Sequence, residues 1–327
     1  MAGAPTTCRH RSGASVPSAS MDEVHRTQRV EVADGTRLHV LAWDPVAPRA
    51  GEEPRAAPFL LVHGLASNAL LWTGVAAELA AAGHPVVAVD QRAHGRSDPS
   101  DRLDLATLTG DLVAIVDALG LDRPIAVGQS WGGNVVLELA RRHPAAIRAA
   151  AAVDGGTIEL RTAFADHEAC WAALAPPQWD GGLTLAAVTA GLAARYPDWP
   201  EAGRRAQLGN LAVRGDGTVT AILTRARHRA VVEGLYDHVP SRFLHEVSVP
   251  VLLLPVDTGE AGWTAGKRAG IETAAARLPR GRTVWFTGHD HDVHAQAPEA
   301  VAAALLGAVE DGFLDPDGCG TDEEGTT

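Results

Sequence analysis

"PIAVGQSWGGNVVLELARRH", residues 124–143, is the stretch on which the fold turns. An apolar run, Ile125 to Val127, leads into Gly128-Gln129-Ser130-Trp131-Gly132, and a helical pattern follows until Pro144 stops it. G-x-S-x-G occurs often by chance, but between a strand and a helix it has a mechanical meaning. The chain must pass from extended to helical over a very short turn. The backbone of Ser130 is therefore strained and its hydroxyl stands above the sheet edge. Strand and helix approach closely around it, so Gly128 and Gly132 lack side chains for a steric reason. The start of the helix leaves the Trp131 N–H without an intrahelical acceptor, aimed where a negative oxygen would form. The competing reading is a glycine-rich turn with an incidental serine.

On either side of this turn, apolar runs alternate with helical patterns. "RVEV" and "RLHVLAW" flank an Asp34-Gly35 hairpin turn. "PFLLVHG" (58–64), "PVVAVD" (85–90) and "IRAAAAVDGG" (147–156) are short continuous apolar runs of the kind buried on both faces. A helix is predicted from about 68 to 82, ended by Gly83. Another spans 104–119, where Leu105, Leu108, Leu112, Ile115 and Leu119 share one face and Gly120 closes it. The beat breaks over 157–245, which holds helical patterns, Trp171, Trp179, Trp199 and a basic cluster, without an evident buried strand. It resumes with "VPVLLLPVD" (249–257), a helix over 263–278, "RTVWFTG" (282–288) and a last helix from Pro298. The alternation predicts an α/β protein with a mostly parallel eight-stranded sheet and helices on both faces. The core is expected over 23–156 and 246–311, and the interruption at 157–245 is expected to be a helical cap inserted after the sixth strand.

Composition narrows the function classes. The formal charge of −12 argues against nucleic acid or an anionic membrane as the main partner. No apolar run approaches the roughly 20 residues that span a bilayer. Lys267 is the only lysine, so nearly all positive charge is arginine. Cys8, Cys170 and Cys319 are far apart and offer no disulfide or zinc pattern, which suits a reducing, cytoplasmic setting. Residues 1–22 are small and polar without a secretory h-region, and are expected to be a disordered lead, with Met21 an alternative start. The acidic, Gly-rich stretch 312–327 is expected to be a disordered tail.

The chain resembles the α/β-hydrolase family. Besides the Ser130 turn, "VHGLASN" (62–68) is similar to that family's H-G loop. "DQRAHGRSD" (90–98) is similar to its D-x-R-G-x-G-x-S loop, with Ala93 in place of a glycine, and "HDVHAQAP" (291–298) to its catalytic-histidine loop. The resemblance covers roughly 30–310 and extends to the position of the cap. It implies a Ser-His-Asp triad with Ser130 as nucleophile and the Leu65 N–H as second oxyanion donor beside that of Trp131. His63 would then position the H-G loop.

The histidine-rich run "GHDHDVHAQAP" (288–298) also invites a metal reading. The pattern lacks the aspartate that an H-x-H-x-D-H ligand set needs, Val293 standing there, and no other His/Asp cluster completes a site. No metal and no cofactor are expected. Chain order, with serine first and histidine last, suits a triad histidine here. Counted back from Pro298 that is His291. His289, which follows Gly288, is the alternative, and His294 is expected to pack or cap near the helix start. Asp290 and Asp292 are expected to be solvated. The triad acid is open between Asp154, at the end of the sixth strand, and Asp257, after the seventh, with Glu260 a third choice. We favour Asp154, because the seventh-strand loop departs from the family's usual spacing and Gly155-Gly156 leave room at the sixth.

A serine nucleophile implies an acyl-enzyme, hence cleavage of an ester, lactone or related acyl bond. It excludes the aspartate chemistry that the resemblance associates with epoxide hydrolases and haloalkane dehalogenases. Leu65 and Trp131 would flank the reacting centre, and the expected partner is a small, largely apolar acyl substrate. Arg225, Arg227 and Arg229 could meet a substrate carboxylate, but we favour the reading that they form a solvated helix face. Carbon–carbon bond hydrolysis or perhydrolysis on the same triad remains an alternative, as does a non-catalytic ligand-binding receptor of this fold. Self-association as a homodimer is open.

Overall fold

The computed structural model describes residues 25–46, 56–177, 182–259 and 261–315, with the side chains of 261–265 outside it. The expected lead over 1–22, the end of the tail, Cys8, Cys319, Trp179 and Glu260 lie outside these described residues.

The chain opens with strands β1 (Arg26–Glu31), β2 (Arg37–Trp43) and β3 (Phe59–Val62), helix α1 (Thr73–Ala81) and strand β4 (Val86–Val89). Helix α2 (Leu105–Leu119), strand β5 (Ile125–Gln129), helix α3 (Trp131–Arg142) and strand β6 (Ala149–Val153) follow. Asp104 caps α2 by accepting from the Thr107 N–H, and Gly120 ends it in the left-handed conformation at φ 62°. β3, β4 and β6 are buried at every position, as continuous apolar runs in a covered parallel sheet should be.

Next come helices α4 (His167–Leu174), α5 (Leu185–Arg195) and α6 (Glu201–Ala206), strands β7 (Leu211–Val213) and β8 (Val219–Ala221), and helix α7 (Arg225–Asp237). Antiparallel β7 and β8 form a small sheet of their own, so this segment is not purely helical. The strands are too short for a periodicity to register, although the turn between them carries an Asp216-Gly217 signal, with Gly217 at φ 81°.

The last section holds β9 (Val251–Leu254), β10 (Val256–Asp257), α8 (Ala261–Arg277), β11 (Gly281–Thr283), β12 (Phe286–Thr287), α9 (Val293–Gln296) and α10 (Pro298–Glu310). Each of the two strands expected here is broken. Pro255 has no N–H to give to a ladder, and β10 and β12 resume beyond it as a separate parallel pair.

Eight strands make the main sheet, in the order β1-β2-β4-β3-β5-β6-β9-β11. β2 is antiparallel to both β1 and β4, and the remaining neighbours are parallel. One apolar cluster joins α2, α3 and α8 to one face, and a second joins α1 and α10 to the other. Fully buried side chains such as Leu61, Ile125 and Leu252 each contribute about 1.5–3 kcal/mol of burial free energy. The second cluster reaches past the last helix: Leu314 is fully buried and Arg148 pairs with Asp315 at 2.6 Å. Residues 312–315 therefore pack on the core, where composition alone had assigned them to the tail. Among the described residues no helix is long and apolar enough to cross a membrane.

The parallel strands all end at one edge. The loops after β3, β4, β5, β6, β10 and β12 meet there, and in open α/β sheets this carboxyl edge is where ligands bind.

Candidate active site

Ser130 occupies the turn between β5 and α3 with φ 52° and ψ −122°, a conformation L-residues rarely adopt. Such strain costs on the order of 1–3 kcal/mol and persists because the surroundings hold it. The Ser130 N–H donates to the Val153 carbonyl (2.9 Å), and its own carbonyl accepts from the Gly133 N–H (2.9 Å). A side chain at Gly128 would collide with the Gly132 carbonyl, and one at Gly132 with the carbonyls of Val62 and His63. The steric reading of both glycines is thus the observed one. Gly155, after β6, is equally constrained because a Cβ there would strike the Ser130 carbonyl.

The loop after β3 lies against this turn, since a Cβ built on Gly64 would sit 3.1 Å from Ser130 Cβ. His63 is wholly buried; its Nδ1–H donates to the Gly64 carbonyl (2.7 Å) and its Nε2 accepts from the Gln91 N–H (3.0 Å). His94 Nδ1–H donates to the Arg92 carbonyl (2.8 Å), and its Nε2 accepts from the Ala66 N–H (3.2 Å). Burial pushes the His94 pKa down to about 3, so the ring stays neutral and keeps that acceptor. Asp90 accepts from the Ala69 N–H (2.7 Å), the Arg96 N–H (2.9 Å) and His39 (2.9 Å). The two loops that carry the H-G and D-x-R motifs are thereby locked together. Ala93, in the position of the missing glycine, takes the left-handed φ of 61° that the turn demands. Among the described residues, neither the Leu65 nor the Trp131 backbone N–H has an acceptor within the protein.

The three histidines after β12 go to three different places. His289 is half-buried and donates from Nδ1 to the Thr287 carbonyl (3.0 Å). His294 is fully buried, its ring 4.5 Å from that of Trp72, and burial lowers its pKa to about 3. His291 turns to Asp154, with Nδ1 2.6 Å from Oδ2. Its carbonyl accepts from Gln129 Nε2 at 3.2 Å, which fastens the loop beside the residue preceding Ser130. Desolvation opposes charge on His291, but the bond to Asp154 and the nearby Asp292 carboxylate hold its pKa above the ordinary 6.5.

Asp154 is buried, with φ 43°. Beyond His291, its Oδ1 accepts from the Val256 N–H (2.8 Å) and from Lys267 Nζ (2.6 Å), which also donates to the Val256 carbonyl (2.8 Å). Burial disfavours the carboxylate; His291 and Lys267 outweigh it and hold the pKa below the usual range. Asp257 is engaged otherwise. Its Oδ1 accepts from the Gly259 N–H (2.9 Å) and its Oδ2 from Arg268 (2.7 Å), whose guanidinium lies over Trp285. The carboxylate beside His291 is that of Asp154.

Two residues near the site make contacts that the sequence did not show. Lys267 was notable only as the sole lysine, and nothing in its helix tied it to Asp154. Asp290 is exposed, as expected, and in addition accepts from the Trp199 indole N–H at 2.9 Å, which joins the inserted segment to the histidine loop. Asp292, also expected to be solvated, is half-buried, and burial raises its pKa. The arginines of α7 are partly paired: Arg227 with Asp101 (2.8 Å), and Arg229 with Glu168 and Glu233.

A cavity of about 640 Å3 opens between the H-G loop and the inserted segment. Ala66, Ser67, His94 and Gly95 form its floor, and Leu192, Leu211, Ile222 and Leu223 are among the apolar side chains of its walls. The His94 ring is tilted against that of Trp131, with centroids 5.6 Å apart, so the floor lies near the start of α3, although Leu65, Ser130, Trp131 and His291 are not themselves among its lining residues.

A family model for the alpha/beta hydrolase fold matches residues 57–182. Epoxide hydrolase B of Mycobacterium tuberculosis is 32% identical over 127 residues, 38% of this chain and 33% of that protein. The non-heme chloroperoxidase of Streptomyces lividans is 33% identical over 126 residues, 38% of this chain and 43% of that protein. The matched stretch thus spans less than half the length of either relative. Among solved structures, E-2-(acetamidomethylene)succinate hydrolase superposes with a TM-score of 0.70 at 22% identity, covering 88% of this chain and 99% of that one. The thioesterase domain from the curacin biosynthetic pathway gives 0.68 at 20%, covering 86% and 99%. Sheet order, the partial family match and the superpositions agree, and the chain has the α/β-hydrolase fold.

Proposed function

We propose that this chain is a serine hydrolase that cleaves an ester, lactone or related acyl bond of a small, largely apolar substrate through an acyl-enzyme. The observation that carries the reading is the 2.6 Å contact of His291 with buried Asp154, at the same sheet edge as the strained Ser130 turn. In this reading Asp154 holds the Nδ1–H tautomer, which leaves Nε2 of His291 free to act as base.

The steps follow from those roles. Ser130 Oγ bonds to the acyl carbon while its proton passes to His291 Nε2. The carbonyl oxygen gains charge and accepts from the Leu65 and Trp131 N–H groups, which have no competing acceptor among the described residues. The tetrahedral centre collapses, the bond to the leaving oxygen breaks, and His291 returns its proton to that oxygen. Water then attacks the acyl-enzyme. His291 takes the water's proton, the acyl carbon keeps the hydroxyl as the new acid, and Ser130 recovers its hydrogen.

The relatives' names include epoxide hydrolases, but a serine at 130 favours acyl transfer for this chain. The 157–245 segment would act as the cap, supplying the apolar cavity walls that select the acyl group. Reaction with a fluorophosphonate followed by peptide mapping tests the proposal. Labelling is expected at Ser130, absent in Ser130→Ala and slowed by at least about a hundredfold in His291→Ala. Labelling that persists in Ser130→Ala contradicts it.

A further inference from the structure

The cavity above the H-G loop is unlike the rest of the molecule in its electrostatics. The chain carries twelve more acidic than basic side chains by formal charge, yet among the described residues no aspartate or glutamate lines this cavity. Its imidazoles add no charge, because burial lowers the pKa of both His94 and His228. Among the described residues one charged side chain remains on the wall, that of Arg225.

Arg225 also differs from its neighbours on α7. Arg227 and Arg229 are matched by Asp101, Glu168 and Glu233. The guanidinium of Arg225 meets no carboxylate among the described residues. It donates from Nη1 to the Pro176 carbonyl (2.6 Å) and lies 4.8 Å above the Trp171 ring. Those contacts fix the direction of the planar group and leave its other N–H donors unused. A positioned, charge-unpaired guanidinium is the side chain best suited to grip a planar anion at two points.

We propose that Arg225 is the anion-binding subsite of this cavity and that the acyl group of the substrate ends in a carboxylate. The apolar walls would hold the intervening methylene chain. The identity of the reacting bond rests on the serine-hydrolase reading; the anion subsite rests on the cavity and on Arg225.

The test uses the full chain and 4-nitrophenyl half-esters of straight dicarboxylic acids, from adipate to suberate. Each is compared with the same ester whose distal carboxylate is a primary amide. For at least one chain length the wild type should favour the carboxylate by about tenfold or more in kcat/KM, and Arg225→Gln should lower that ratio by about tenfold or more. Arg225→Lys should keep part of the preference, and added salt should weaken it. A wild-type ratio at or below one at every length, or a ratio unchanged in Arg225→Gln, overturns the proposal. If the wild type turns over no ester, the serine-hydrolase reading fails, and binding decides the subsite. Calorimetry with free suberate and with suberamide then reads it directly. Suberate binding that disappears in Arg225→Gln supports the subsite, and no suberate binding to the wild type overturns it.

Discussion

The ends of β6 and β10 present two aspartates to the same rim, and the difference between them lies in what surrounds each. Asp154 is tied to His291, to the Val256 N–H and to Lys267. Asp257 closes its own turn and pairs with Arg268. Consecutive residues of α8 thus serve the two acids, one cation each. The Val256 N–H that steadies Asp154 comes from the residue just before Asp257, so the two strand ends are also joined. Position at the end of a strand made both candidates; what separates them is the direction of the carboxylate, which sequence spacing does not encode.

The largest expected effect is on catalysis at the two acids. Asp154→Asn should lower kcat for an activated ester by about 10^3- to 10^4-fold, because the imidazole loses its tautomer and its charge partner. Asp257→Asn should stay within about threefold, checked in the same steady-state assay. Equal losses would erase the distinction.

The two cations of α8 should separate next. In the proposed mechanism His291 acts as base only when neutral, so kcat/KM should fall as pH drops through a value above 6.5. Lys267 disfavours a proton on His291, so Lys267→Met should move that acid limb to higher pH. Arg268→Met should leave the limb where it is. Lys267→Arg should restore part of the wild-type profile, since it keeps the charge. An acid limb indifferent to Lys267 would remove this residue from the account.

Stability gives smaller differences, measurable by urea denaturation. Lys267→Met removes a partner from a buried carboxylate and should cost about 1–3 kcal/mol. Arg268→Met breaks a pair whose cation is 45% exposed, and should cost less than about 1 kcal/mol. The charge of Asp154 adds a pH signature. Its pKa is lower folded than unfolded, so its contribution is present above the unfolded value and is lost as pH falls through the folded one. Asp154→Asn should accordingly flatten the loss of stability below about pH 4.

Much of this architecture was legible from residues alone. The strand–turn–helix around Ser130, the capped helix before Gly120 and the parallel apolar runs are local patterns, and each left a periodicity or a cap in the sequence. The breaks at Pro255 and in the last strand were less visible, because a proline at the end of "VLLL" also fits a strand that simply stops. The β7–β8 pair is three residues a side, below the length at which alternation can be counted. At the proposed site, chain order and motif singled out Ser130 and His291, and the structure places the first on the strained turn and the second against Asp154. The ties of Lys267 to Asp154 and of Asp290 to Trp199 join elements distant in sequence, and no spacing rule reaches across them.

The central claim is that Ser130 is activated by an imidazole that Asp154 holds, and the acylation step reads it most directly. Stopped-flow release of 4-nitrophenolate from 4-nitrophenyl acetate gives that rate for wild type, Asp154→Asn and Asp257→Asn side by side. The account predicts a burst in wild type and Asp257→Asn, and acylation slowed by about 10^3-fold or more in Asp154→Asn. A full-rate burst in Asp154→Asn, with acylation lost in Asp257→Asn, would contradict it.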